Sequence, residues 1–168
     1  MLPVTTARIL AEKALQETCG RQCVDWAIGM LELGRDSPNL LQLAGMLPPY
    51  NHFELAALRD RALQELKIQE APPSDAIREY AVEVLRCALN GDLEVIEALD
   101  ILVYLCRADG FRKDLMQFYH LSYGQVDLQD GGMQWCLDGA TVEDFDEIFR
   151  VFAKEFVQSS STENNTKR

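Results

Sequence analysis

The sequence predicts an all-α protein, a compact irregular bundle of about seven helices built from antiparallel helix hairpins. Three observations carry that expectation. Apolar residues recur at spacings of three and four along nearly the whole chain, the period of a half-buried helix. The runs are punctuated by helix start and stop residues. No stretch alternates polar and apolar residues for long enough to make a strand.

Thr5 or Thr6 caps a first helix that places Ile9, Leu10, Ala14 and Leu15 on one face and ends by Gly20. A second run covers Val24 to Leu33, with Gly34 as its stop. Ser37-Pro38 pairs an N-cap with proline at the first helical position and opens a short helix through Ala44. After Pro48-Pro49, Asn51 and Glu54 resemble a capping box, and Phe53, Leu55, Leu58, Ala62, Leu63 and Leu66 form an apolar stripe. Pro72-Pro73-Ser74 separates that helix from the next, which stops at Asn90-Gly91. Asp92 caps a helix whose Leu93, Ile96, Leu99, Val103 and Cys106 are expected to face inward, and Asp109-Gly110 closes it. The runs 74–90 and 92–108 therefore read as a hairpin of antiparallel helices. Phe111 to Tyr123 reads as a further helix, and residues 124–139, rich in glycine and aspartate, as a loop. Thr141 opens the last helix, with Val142, Phe145, Ile148, Phe149, Phe152 and Phe156 at helical spacing. Self-similarity at a fixed period is absent from the sequence.

At 168 residues and 48% hydrophobic composition, the chain can bury roughly 70% of its unfolded surface. Residues 1–158 are expected to form a single helical domain. Residues 159–168 contain no large apolar group and read as a disordered tail. The longest uncharged stretch, Ser37 to Phe53, is too short to span a membrane and holds Pro48 and Pro49. Arg8, Glu12 and Lys13 occupy the place of a signal peptide's apolar stretch, so the expectation is a cytoplasmic protein. The five cysteines, Cys19, Cys23, Cys87, Cys106 and Cys136, are odd in number and fall largely on apolar positions, so they read as reduced small hydrophobes.

The formal charge of −11 is uneven. It is −1 over residues 1–50, −6 over 51–100, −5 over 101–150 and +1 beyond. Such a field repels nucleic acid and anionic membrane and suits a basic protein partner. No phosphate-binding loop, nucleophile elbow or zinc-hydrolase helix occurs, and no cofactor is expected.

Four constellations remain. Cys19 and Cys23 stand as C-x₃-C, two thiols without the second pair that a structural zinc site needs. Asp127 to Asp138 faintly echoes a calcium loop, but Gln129 and Gly131 stand where carboxylates belong, so no metal is expected. His120 shares a helix with Tyr119 and lies three residues before Tyr123, within reach of a hydrogen bond. The strongest feature is a stretch. From Asp114 to Phe149 there are eight acidic residues and no lysine or arginine, interleaved with aromatic residues.

The expectation that follows is a non-catalytic binding module, of inhibitor or immunity type, that shows an acidic, aromatic face to a basic protein. Trp135 and Tyr123 would anchor the contact, with Tyr119 part of the same surface, while Asp127, Asp130 and Asp138 steer it. A second reading is a helical enzyme or small-ligand binder that uses carboxylates and His120 in a cleft. A third is a homo-oligomeric scaffold joined through Phe149, Phe152 and Phe156 of the last helix.

Overall fold

The structure is a computed structural model, and it describes residues 4–130, 137 and 140–166. It is all-helical: among the described residues there are eight α-helices, one 3-10 turn and no strand. The helices are α1 (Thr6–Ala14), α2 (Arg21–Glu32), α3 (Pro38–Ala44) and α4 (His52–Glu65), then α5 (Pro73–Asn90), α6 (Val95–Ala108), α7 (Met116–Asp130) and α8 (Phe145–Thr166). The 3-10 turn, Lys113–Leu115, lies between α6 and α7. The chain divides into two compact units, 1–80 and 81–168, and the division falls inside α5, where the composition shows no break. None of the helices among the described residues is long and apolar enough to cross a membrane.

The predicted caps set the starts of α1, α3 and α4, whereas Asp92 does not cap α6, which begins at Val95 behind Glu94. Thr5 accepts from the Arg8 amide at the start of α1, and Ser37 accepts from Leu40 ahead of Pro38 in α3. Asn51 accepts from the amides of Phe53 and Glu54 in α4. Each satisfies amides that the first helical turn would otherwise leave unpaired.

In the first unit, the core gathers Ile9, Trp26, Leu40, Leu43, Leu55 and Leu63 from the four helices, all fully buried or nearly so. α2 packs on α3 and on α4, and α3 packs on α4. The Trp26 indole cannot be buried without a partner for its N–H, and Nε1 donates to Thr6 Oγ1 at 3.0 Å. Polar ties close the edges. Lys13 Nζ reaches Asp60 at 3.1 Å and Glu70 at 2.7 Å, and the buried Arg59 pairs with Asp60 at 2.9 Å. Burial alone would raise the Asp60 pKa, but its hydrogen bonds and charge contacts with Arg59 and Lys13 prevail and hold it below the ordinary value.

Cys19 and Cys23 correct an expectation. Their sulfurs are bonded to each other as a disulfide, so neither is a reduced thiol nor a thiolate ligand in this structure. Both are buried, and His52 Nδ1–H donates to the Cys19 carbonyl oxygen at 2.7 Å, tying the exposed start of α4 to that turn. Cys87 and Cys106 are free thiols, and burial raises the pKa of both, with nearby carboxylates adding to the effect.

In the second unit, α6 and α7 pack against each other, as do α7 and α8. They are held by aromatic packing: Phe118 lies with its ring centroid 6.0 Å from that of Phe149 and 5.8 Å from that of Phe156. Phe149 and Phe156 are therefore core residues, which takes them away from the self-association surface predicted for the last helix. α7 also runs further than expected. Residues 124–130 are helical rather than loop, with Gly124 buried inside the helix. α8 begins at Phe145, not Thr141, and its bounds overlap the segment read from composition as a tail. Thr141 instead makes a turn in which its amide and hydroxyl both donate to Asp144, at 2.9 and 2.8 Å.

Phe118 sits at the centre of this unit and is fully buried. Phe118→Ala is expected to destabilise it by about 3–5 kcal/mol, the usual cost of deleting a buried phenyl ring. Chemical denaturation followed by far-UV circular dichroism measures this, and a loss under about 1 kcal/mol would mean the ring is not packed as described.

Candidate functional site

The candidate site is built on the corner between α6 and α7. Gly110 follows α6 with φ +66°, a left-handed value that glycine adopts freely. Phe111 continues with φ +61°, which a bulky L-residue adopts only at a cost of roughly 1–2 kcal/mol. Arg112 holds this unusual turn in place. Its amide donates to the Cys106 carbonyl at 3.1 Å, and its guanidinium donates to Asp114 at 2.6 and 3.0 Å and to Asp109 at 3.2 Å. Burial alone would lower the Arg112 pKa, but the hydrogen bond and charge of Asp114, with Asp109 in support, raise it instead.

This geometry turns the Phe111 ring outward, half-exposed, edge-on to Tyr119 with the ring centroids 5.4 Å apart and an interplanar angle of 89°. Tyr119 continues the cluster to Tyr123, one turn further along α7. Their rings are 5.2 Å apart and their hydroxyls 2.9 Å apart. The hydrogen bond to Tyr123 is the main cause that raises the Tyr119 pKa above the ordinary tyrosine value, and desolvation adds to it. The neutral phenol is thus the favoured form. Whatever stability the pair adds is complete below the ordinary tyrosine range and is lost as pH rises through the raised value.

The structure brings Tyr119 and Tyr123 together, with Asp127 one further turn along the same stripe of α7. Asp130 ends α7, but its side chain lies outside the described residues, as do Trp135, Cys136 and Asp138. His120 does not bond Tyr123, because Tyr119 at the four-residue spacing takes that hydroxyl. The imidazole is exposed, 6.1 Å centroid to centroid from Tyr119. The calcium-loop reading fails at its first positions, since Asp127 to Asp130 are in helix.

Two grooves flank this aromatic cluster, and His120 lines neither. The larger, about 570 Å³, is lined by Asp100, Val103, Tyr104, Arg107, Ala108 and Phe111. The smaller, about 120 Å³, lies between Ile96 at the start of α6, Leu128 and Gln129 at the end of α7, and Val142 and Asp146 ahead of and in α8. The start of α6 thus meets the end of α7, while Cys106 at the far end of α6 has Sγ 3.8 Å from Met116 Sδ at the start of α7. The two helices are antiparallel.

Comparison with protein-family models, with curated proteins and with solved structures finds no match to this chain.

Charge separates the units. Residues 1–80 carry −3 and residues 81–168 carry −8, sixteen carboxylates against eight cations. The aromatic cluster and both grooves belong to the more acidic unit. The sequence reading missed Phe111, Tyr104 and Ile96. It assigned Ile96 to the interior of α6, whereas Ile96, Tyr104, Phe111 and Tyr123 are 41%, 47%, 52% and 52% exposed. A signal existed for Tyr104: it lies eight residues from Ile96 and three from Arg107, off the leucine stripe.

Arg112→Met keeps the aliphatic stem and removes the clasp. The variant is expected to lose about 1.5–3 kcal/mol of stability, the scale of a charged hydrogen bond whose partners are left behind. It should also move the Phe111 ring resonances in a proton NMR spectrum. An unchanged melting transition with unchanged Phe111 signals would show that Arg112 does not hold the corner.

Proposed function

We propose that this chain is a non-catalytic binding module that presents the acidic, aromatic surface of residues 81–168 to a basic protein. The observation that carries the reading is the exposed ring cluster of Phe111, Tyr119 and Tyr123 on the unit that holds −8 of the total charge of −11. Tyrosine contributes large contact area for little lost rotamer freedom, and surrounding carboxylates raise the rate of encounter with a cationic partner. The hydrogen bond between the two tyrosines fixes both rings before any partner arrives, which lowers the cost of ordering them on binding.

An inhibitor or immunity-type protein that covers a cationic toxin or nuclease fits this chemistry. Asp127 belongs with Tyr119 and Tyr123 by its place on α7, and Asp130, Trp135 and Asp138 remain part of the proposed surface by sequence. A cytoplasmic location is part of the same proposal, with one consequence: in a reducing compartment the Cys19–Cys23 pair opens to two thiols.

Two measurements test these points. The protein, immobilised at low salt in lysate of its native cell, should retain a basic protein that elutes as salt rises. Tyr123→Ala should weaken that complex about tenfold or more, and Asp127→Lys should reduce its salt dependence. A partner that is retained equally by both variants would sink the assignment. For the compartment, acid-quenched cells denatured in the presence of an alkylating reagent, which exposes buried thiols without exchange, should show Cys19 and Cys23 labelled along with Cys87 and Cys106. Labelling confined to Cys87 and Cys106 among these four would place the protein in an oxidising environment.

A further inference from the structure

The exposed ridge of α6 has features that the tyrosine pair does not explain. Ile96, Asp100, Val103, Tyr104 and Arg107 fall within about 100° of the helix circumference, at 3.6 residues per turn. The two grooves open at opposite ends of this ridge, one at Ile96 and one at Tyr104. Eight residues separate these positions, which is about 12 Å along the axis. Each groove combines half-exposed apolar groups with one carboxylate: Ile96 and Val142 with Asp146, and Tyr104 and Phe111 with Asp100. Arg107 is the one cation in either lining, and it stands at the Phe111 end.

We infer that this ridge is a two-point docking surface for a basic, amphipathic helical segment of the partner, whose apolar side chains about two turns apart enter the two grooves while its cations meet Asp100 and Asp146. This inference rests on the basic-partner reading and deepens it by assigning the site and the shape of the occupant. A helix placed along α6 repeats apolar side chains at seven- and eight-residue spacing on one face, about 10–12 Å apart, and so matches the axial spacing of Ile96 and Tyr104, one in each groove. The occupant is basic because the unit carries −8 and because a carboxylate lies in each lining. Arg107 gives the surface a direction. It opposes a cation at one end only, so the segment meets Asp100 and Asp146 with its basic residues and leaves the Phe111 end for an uncharged or acidic one.

The test uses the full chain and two labelled peptides of about 18 residues, long enough to cover the ridge. Both contain the same leucines, lysines and arginines. One has the leucines on a single helical face, and the other is scrambled so that no apolar face forms. Fluorescence anisotropy at low and moderate salt should show the amphipathic peptide binding at least about tenfold tighter than its scramble. Ile96→Ser and Tyr104→Ser should each weaken the amphipathic peptide about tenfold and leave the scramble unchanged. Arg107→Gln should tighten both. Asp100→Lys, a further exposed position, should weaken both, and circular dichroism verifies that each variant is folded. Equal binding of the two peptides, or indifference of the amphipathic peptide to both serine variants, overturns the docking ridge. If that binding still falls with Asp127→Lys, the basic-partner reading stands without the ridge. Absence of binding by either peptide at low salt overturns both.

Discussion

Arg112 makes the four irregular residues 109–112 behave as a rigid corner. One side chain engages Asp109 before it and Asp114 after it, while its own amide reaches back to Cys106 in the last turn of α6. The arrangement resolves a conflict. The chain must reverse direction sharply enough for α7 to lie against α6 and bury Leu115 and Phe118, which uses two successive left-handed residues. Glycine supplies the first at no steric cost, but Phe111 does not. A clasp of charged hydrogen bonds, half-buried and thus poorly screened, offsets that cost. The result is a large ring held outward against Tyr119, where a looser turn would let it fold back onto the helices.

The corner also explains how a unit with twice as many carboxylates as cations remains compact. Its acids are not scattered. Asp146 and Glu147 occupy the first turn of α8 and Glu97 that of α6, where the helix dipole favours negative charge. Hydrogen bonds from the Thr141 amide and hydroxyl hold the Asp144 carboxyl below its ordinary pKa. Asp109 and Asp114 share Arg112. Carboxylates with such local accommodation cost the fold little, so the field of the unit can be large without unfolding it.

Much of this fold was legible because helices announce themselves twice, by periodicity and by their ends. Thr5, Ser37 and Asn51 cap where their side chains predict, and Gly34, Gly91 and Gly110 terminate with positive φ. The failures share one cause: a single residue type serves two opposite purposes. Gly124 reads as a helix breaker but sits buried in the middle of α7, where tertiary packing outweighs propensity. Cys19 and Cys23 read as small hydrophobes, and burial agrees, but spacing cannot say whether two nearby sulfurs are bonded. Ile96 fits the inward stripe of α6 by period and is nonetheless half-exposed, because the stripe is wider than the surface that α7 and α8 cover. Tyr123 was singled out by sequence, whereas its bond to Tyr119 at the four-residue spacing had a rival in His120 that only geometry could eliminate.

Charge and shape act at different ranges, and the site needs both. At physiological ionic strength an exposed charge is felt over about 8 Å, so on the proposed reading a net charge of −8 would steer a cationic protein inward but distinguish poorly among cationic proteins. On the same reading, discrimination would fall to features that operate only on contact: the lining of the groove at Tyr104, the tyrosine pair, and the spacing of Ile96 and Tyr104 along α6. These features rest on packed helices and a clasped corner, so little freedom remains to be lost when a partner docks. A surface selected for solubility alone would be served by the carboxylates. Single exposed apolar groups are ordinary on a folded protein, and Leu33, Leu47 and Phe53 of the first unit are more exposed than Ile96, Tyr104, Phe111 or Tyr123. On the proposed reading, what marks the second unit is therefore the clustering of its rings beside carboxylates rather than their exposure.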